Sequence, residues 1–270
     1  MITPVPGFLP LRGRRVACLD FGGPGAPVLA LHGHFGRGRL YAPLAAALTP
    51  GHRVIAPDLR GHGLTGGGGP FSLDEYVADA AALLRALRLG PVPVVAHSTG
   101  GVIAYALAAR HPELVSALVI EDIGAVTDRP VVDHPVLDVS DWPTRAADRE
   151  ALRREIESHG IPDATYFLDS AEPDPGGGGW RLLFSPRELM ESQRAMCGDF
   201  WAHWLGSDCP ALLLRGEHSP MLPAAHAHAH EMTARRAGTA LRKFAGCGHW
   251  IHDDAPEAYA GAVREFLTGR

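Results

Sequence analysis

The residue whose surroundings suggest chemistry is Ser98, in the run Val92-Pro93-Val94-Val95-Ala96-His97-Ser98-Thr99-Gly100-Gly101-Val102. Valines open this run, as in a strand buried on both faces. An alanine-rich amphipathic stretch, Val102 to Arg110, closes it as a helix. No ordinary loop fits between the two. A strand turns into a helix this sharply only where the flanking residues are small, and Ala96, Gly100 and Gly101 are small. Small-x-Ser-x-small is the nucleophile-elbow pattern, in which a strained turn lifts a hydroxyl above the sheet. A serine that merely caps the following helix leaves the same trace. A serine hydroxyl is a weak nucleophile near neutral pH and needs a base within hydrogen-bond reach. The chain holds 15 histidines, so residue type alone does not choose that base.

The elements that must carry such a site alternate. Strands are expected near Phe8 to Arg12, at Arg15 to Phe21, Pro27 to Leu31 and Arg53 to Ala56, then at the elbow and at Ala117 to Ile120. Helical spacing appears at Leu40 to Leu48. It appears again after Ser72, where Glu75 completes a capping box and Tyr76, Val77, Ala80, Leu83, Leu84 and Leu87 form an apolar face. Strand–helix order returns with Ala211 to Arg215, a helix near Pro223 to Arg236, a strand at Thr239 to Phe244 and a last helix from Pro256 to Leu267. This alternation predicts an α/β fold, with a mainly parallel sheet covered by helices on both faces.

Between the two halves, residues 125–208 read as several helices with loops, notably Asp148 to His159 and Ser185 to Met196. The expected organisation is a core of 1–124 and 209–270 with a helical cap at 125–208, inserted where such sheets bind ligands. Aromatics are dense there: Trp142, Tyr166, Phe167, Trp180, Phe184, Trp201 and Trp204. Most should form the insertion's own core. A minority should line a pocket.

Composition narrows the function classes. At 270 residues, 46% of them apolar, the chain suits one large globular domain or a core with an insertion. A net charge of −5 gives no electrostatic footprint for nucleic acid or an anionic membrane. No run of about 18 apolar residues exists to span a bilayer. Met1 to Pro10 is interrupted by three prolines and lacks the pattern of an export signal. A cytoplasmic protein with Cys18, Cys197, Cys209 and Cys247 reduced is therefore expected. The glycine runs 66–69 and 176–179 lack a phosphate-loop context, and His226, His228 and His230 lack a supporting carboxylate pattern, so neither cofactor nor metal is expected.

Four pieces stand in a recognisable order: His32-Gly33, Asp58-Leu59-Arg60-Gly61-His62-Gly63, Ala96-His97-Ser98-Thr99-Gly100 and Gly248-His249-Trp250. In these the chain resembles the α/β-hydrolase fold superfamily, over almost all of its length outside the insertion. The resemblance implies an eight-stranded sheet, with Ser98 as nucleophile and His249 as base on the loop after the last strand. The Asp58–Gly63 turn matches a mostly structural one. The acid departs from the commonest pattern. It usually ends Gly-x-x-Asp after the seventh strand of the sheet, and here that segment reads Gly216-Glu217-His218-Ser219. A minority of the superfamily carries the acid after the sixth strand, which points to Asp122, with Glu121 and Glu217 as the alternatives. By the same resemblance the oxyanion donors are the N–H groups of Thr99 and of His34, with Phe35 as the neighbouring choice for the second.

The expected activity is that of a serine hydrolase acting on a carboxylic ester or lactone of a small, largely apolar molecule. The chain would work as a monomer or homodimer. Phe35, His97, Trp142, Trp204 and Trp250 are the expected substrate contacts. A serine at the elbow argues against dehalogenase or epoxide hydrolase chemistry, which needs a carboxylate nucleophile. The alternative is a cofactor-independent lyase or dioxygenase on the same fold, using His249 as a base on the substrate.

Overall fold

The computed structural model describes residues 6–219, 221 and 225–269. Eight strands form one sheet: β1 (Gly7–Leu11), β2 (Arg14–Asp20), β3 (Ala26–Leu31), β4 (His52–Pro57), β5 (Val92–His97), β6 (Val115–Glu121), β10 (Ala211–Gly216) and β11 (Thr239–Phe244). Their spatial order is β1-β2-β4-β3-β5-β6-β10-β11. The ladders joining β1 to β2 and β2 to β4 are antiparallel, and the ladders from β4 to β11 are parallel. The expected α/β fold with a mainly parallel eight-stranded sheet is the fold observed.

Side chains of the central strands alternate between two cores, as period-2 geometry requires. Leu29, Leu31, Val94, Ala96, Leu118 and Ile120 face one side, where helices α2 (Leu73–Ala86) and α3 (Thr99–Arg110) pack. Val28, Ala30, Val95 and Val119 face the other, against α1 (Ala42–Leu48) and the last helix (Pro256–Thr268). Both faces are covered, which explains why these strands are apolar throughout.

The segment between β6 and β10 departs from the expected all-helical insertion. It holds α4 (Arg149–Ser158), α5 (Thr165–Leu168), α6 (Pro186–Ala195) and α7 (Trp201–Trp204). It also folds β7 (Arg145–Ala146), β8 (Ala171–Pro173) and β9 (Trp180–Leu182) into a small antiparallel sheet. Strands of two or three residues are too short to leave a periodic signal, and the Pro/Gly run between β8 and β9 is the hairpin's loop. Most of the segment buries its own cluster, including Trp142, Leu152, Ile156, Phe167 and Leu189. Its last turn behaves differently: Phe200 and Trp204 join the main core beside α3. Helix α8 (Ala225–Arg235) follows β10. Pro223, where the sequence places the start of that helix, lies outside the described residues. Among the described residues no helix is long and apolar enough to cross a membrane.

Candidate active site

Ser98 sits at the junction of β5 and α3 with φ 52° and ψ −127°. This backbone conformation costs a non-glycine residue on the order of 1–3 kcal/mol. Close packing sustains it. A Cβ on Gly100 would stand 2.3 Å from the carbonyl oxygen of Leu31, and one on Gly33 would stand 2.9 Å from the Cβ of Ser98. Only glycine lets the helix start this near β3. The helix begins at Thr99, so the Thr99 N–H lies in the first turn, where intrahelical acceptors are absent.

Asp122 leaves β6 one strand away, also with a positive φ of 53°. It is fully buried. Its carboxylate accepts the Nδ1–H of His249 at 2.7 Å, the N–H of Gly216 at 3.0 Å and the hydroxyl of Ser219. Three donors satisfy a buried carboxylate that would otherwise be costly. The bond at Nδ1 orients the His249 ring and leaves Nε2 as its free nitrogen. His249 and Ser98 line the same cavity. Ser219, in the segment where the resemblance would expect an acid, instead donates its hydroxyl to Asp122. In the sequence Ser219 registers only as a missing carboxylate.

The loop after β3 is the other half of the site. Among the described residues no partner takes the N–H of His34 or of Phe35. Both carbonyls, by contrast, are gripped by hydroxyls of the insertion: Tyr166 donates to His34 O at 3.1 Å, and Ser170 donates to Phe35 O at 2.5 Å. Phe35 has φ 67°. The His34 ring bridges Thr99 Oγ1 at 2.7 Å and Ser192 Oγ at 2.9 Å, and Ser192 Oγ also meets the Tyr76 hydroxyl at 2.8 Å. Burial pushes the His34 ring down to about 3, so it is neutral. The two residues expected to supply oxyanion donors are thus tied together by their side chains. Backbone N–H groups left unpartnered beside a serine hydroxyl can stabilise an oxyanion.

The cavity above Ser98 measures about 560 Å³. Phe35, Val102, Ile123, Ile161, Pro162, Phe167, Met196, Met221 and Trp250 give it largely apolar walls. Asp133, His134 and Asp163 also line it, and no lysine or arginine is among its described lining residues. A second cavity of about 580 Å³ lies by β2, with Arg37, Asp58 and Asp169 on its wall. It holds neither Ser98 nor His249.

Not every expected residue lies at the cavity. Phe35, His97 and Trp250 do. Trp142 packs instead in the insertion's own core, edge-on to the Phe167 ring with centroids 4.8 Å apart. Trp204 is fully buried in the main core, edge-on to Tyr105, with its indole N–H donated to Met232 O. The expectation that these two contact substrate is corrected, because their apolar area is spent on packing. Glu217 is on the surface, where Lys243 at 2.7 Å holds its carboxyl down at about 2, so it does not serve His249. Glu121 is buried against His252, not His249. Asp58 accepts the N–H groups of Gly38 and Leu64, both at 2.7 Å, as a structural turn should.

Residues 28–262 match the family model described as the alpha/beta hydrolase family. The 2-(acetamidomethylene)succinate hydrolase of Mesorhizobium japonicum is 28% identical over 254 residues, covering 91% of this chain and 89% of that one. Esterase YbfF of Escherichia coli is 27% identical over 250 residues, covering 90% and 93%. Among solved structures, an E-2-(acetamidomethylene)succinate hydrolase superposes with a TM-score of 0.82 at 23% identity, covering 98% of this chain and all of that one. At that identity the likeness speaks for the fold.

Proposed function

The chain belongs to the alpha/beta hydrolase family and is a hydrolase, and from that premise we propose that it cleaves an uncharged carboxylic ester or lactone through an acyl-enzyme on Ser98. The observation that carries this reading is the 2.7 Å bond from His249 to the buried Asp122, with Ser98 and His249 on one cavity wall. His249 Nε2 takes the Ser98 proton as Oγ attacks the substrate carbonyl. The N–H groups of Thr99 and His34 hold the resulting oxyanion. His249 then protonates the departing alkoxide, and the acyl group stays on Ser98. Water, deprotonated by the same imidazole, attacks the acyl carbon and frees Ser98. Asp122 stays ionised and stabilises the imidazolium of both steps.

Residues 125–208 act as a cap in this scheme. Support comes from Thr127, Leu137, Ile161, Phe167 and Met196 of that segment, which line the cavity. The apolar walls, with Asp133 and Asp163 and without a described lysine or arginine, favour a neutral acyl chain. A doubly charged substrate, such as the one named for the Mesorhizobium relative, would meet like charge here. The placement of Asp122 after the sixth strand supports a second reading, a cofactor-independent lyase or dioxygenase in which His249 deprotonates the substrate.

A fluorophosphonate probe and a panel of p-nitrophenyl esters and lactones separate the two. Labelling at Ser98 with turnover of neutral esters is the expected result. An unlabelled Ser98 with no ester turnover would abandon the acyl-enzyme.

A further inference from the structure

Two side chains stand one residue earlier on each strand that ends at the site. His97 ends β5 and Glu121 ends β6, and they are register partners across the parallel ladder. Neighbours in such a ladder present their side chains to the same face. Both then reach the loop after β11 that carries His249. His97 Nε2 donates to the carbonyl of His249 at 3.0 Å. Glu121 Oε1 accepts the N–H of His252 at 3.0 Å and its ring Nδ1–H at 2.8 Å. The loop is therefore held at residue 249 from one strand and at residue 252 from the next.

This grip uses an expensive group. Glu121 is fully buried, and an unpaired carboxylate there would cost several kcal/mol. Apolar packing could hold a loop without that penalty. None of the hydrolytic steps above employs Glu121 or His252. Burial works against charge on His252, yet the Glu121 carboxylate, with Asp253 and Asp254 behind it, outweighs burial and raises the ring above its ordinary value. The same environment pushes His97 well below its ordinary value, first by burial and then by His249 and His252. A neutral His97 with its proton on Nε2 is what the bond to the His249 carbonyl requires.

His97, Glu121 and His252 are near enough to one another to invite comparison with a metal site. The two nitrogens of one imidazole point in divergent directions. Glu121 Oε1 already takes the Nδ1–H of His252, and that hydrogen bond is the contact the structure shows within the cluster.

We propose that Glu121 is a positioning residue: its buried pair with His252, with His97 bracing the His249 carbonyl, fixes the His249 imidazole between Ser98 and Asp122. The proposal rests on the reading of Ser98, His249 and Asp122 as the hydrolytic site.

The test is Glu121→Gln in the full chain, read in two ways. With p-nitrophenyl butyrate, kcat should fall on the order of 10–100-fold while KM stays within about twofold, as expected for a displaced base. Independently of turnover, the downfield proton resonance of His249 Nδ1–H, bonded to Asp122, should shift or broaden. A companion pair covers misfolding of that variant. His252→Asn keeps a donor near Nδ1 and should retain more kcat than His252→Ala at matched folded fraction. Wild-type kcat and an unmoved resonance in Glu121→Gln, or equal kcat in the two His252 variants, would overturn the proposal. If the wild-type chain turns over no ester, the hydrolytic reading fails while the resonance still reports on Glu121.

Discussion

Ser98 and Asp122 leave neighbouring parallel strands with the same backbone signature, φ of 52° and 53°. Each follows the last strand residue, and the Ser98 N–H is itself bonded to Glu121 O at 2.9 Å, so the two turns are joined by the ladder. Strained backbone at two adjacent strand ends points to function, since nothing in β-sheet geometry favours it.

Replacing Ser98 separates strain from chemistry. Ser98→Ala should lower kcat by about 10³-fold or more, with the chain still folded. Ser98→Gly should be equally inactive yet more stable by about 1 kcal/mol, because glycine accepts positive φ without a Cβ penalty. Ester turnover and thermal unfolding measured on both variants check this. Retained activity in either would remove Ser98 from the mechanism.

The acid has a clear contrast. Asp122→Asn should cost about 10⁴-fold in kcat, since an amide cannot stabilise the imidazolium. Glu217→Gln should stay within about twofold, because Glu217 meets Lys243 on the surface. The opposite order in steady-state kinetics would return the acid to the loop after β10.

Ser219 should matter although it carries no charge. Ser219→Ala removes one of three donors to Asp122 and should lower kcat roughly 10-fold. Ser219→Asp restores the superfamily's usual residue at that slot but sets two carboxylates side by side. It should lose more activity than Ser219→Ala at neutral pH. A variant with two carboxylates and full activity would show that the slots are interchangeable.

The bond between Thr99 and His34 is testable by an isostere. Thr99→Val keeps the volume and removes the hydroxyl that meets His34 Nδ1, leaving a buried nitrogen without its partner, at about 1–3 kcal/mol. Its kcat should fall and Thr99→Ser should restore it, with KM little changed in both. Indistinguishable kcat in the Val and Ser variants would detach this bond from the oxyanion donors.

Acid should unfold the chain early. Burial pushes His32 down to about 4 and His62 to about 3, against about 6.5 for an unfolded histidine. Between those values the unfolded state binds more protons than the folded one. Stability is present above pH 6.5 and is lost as pH falls, by about 1.4 kcal/mol per pH unit for each ring. His252 acts in the opposite direction, since its raised value makes its contribution fade as pH rises. Urea midpoints measured from pH 7 to pH 5 should decline. A flat profile would mean that neither His32 nor His62 stays neutral in the fold.

Local composition determined a good deal. Small residues around Ser98 dictate an elbow, because only they let a helix begin against β3, and alternating apolar runs dictate a two-faced parallel sheet. Asp122 and His249 were singled out by the resemblance to the α/β-hydrolase superfamily, since composition alone does not choose between Glu121 and Asp122 or among 15 histidines. Other assignments needed the tertiary structure. Trp142 and Trp204 look alike in sequence to Trp250, yet they fill two separate cores while Trp250 lines the cavity. Ser219 reads as a lost acid until Asp122 is seen beneath it. Glu121 and Asp122 are adjacent carboxylates, and only the fold gives one to His252 and the other to His249. The physical reason is that hydrogen-bond partners and burial are set by chain segments far apart in sequence. Backbone turns are written locally, in the size and conformational freedom of a few consecutive residues.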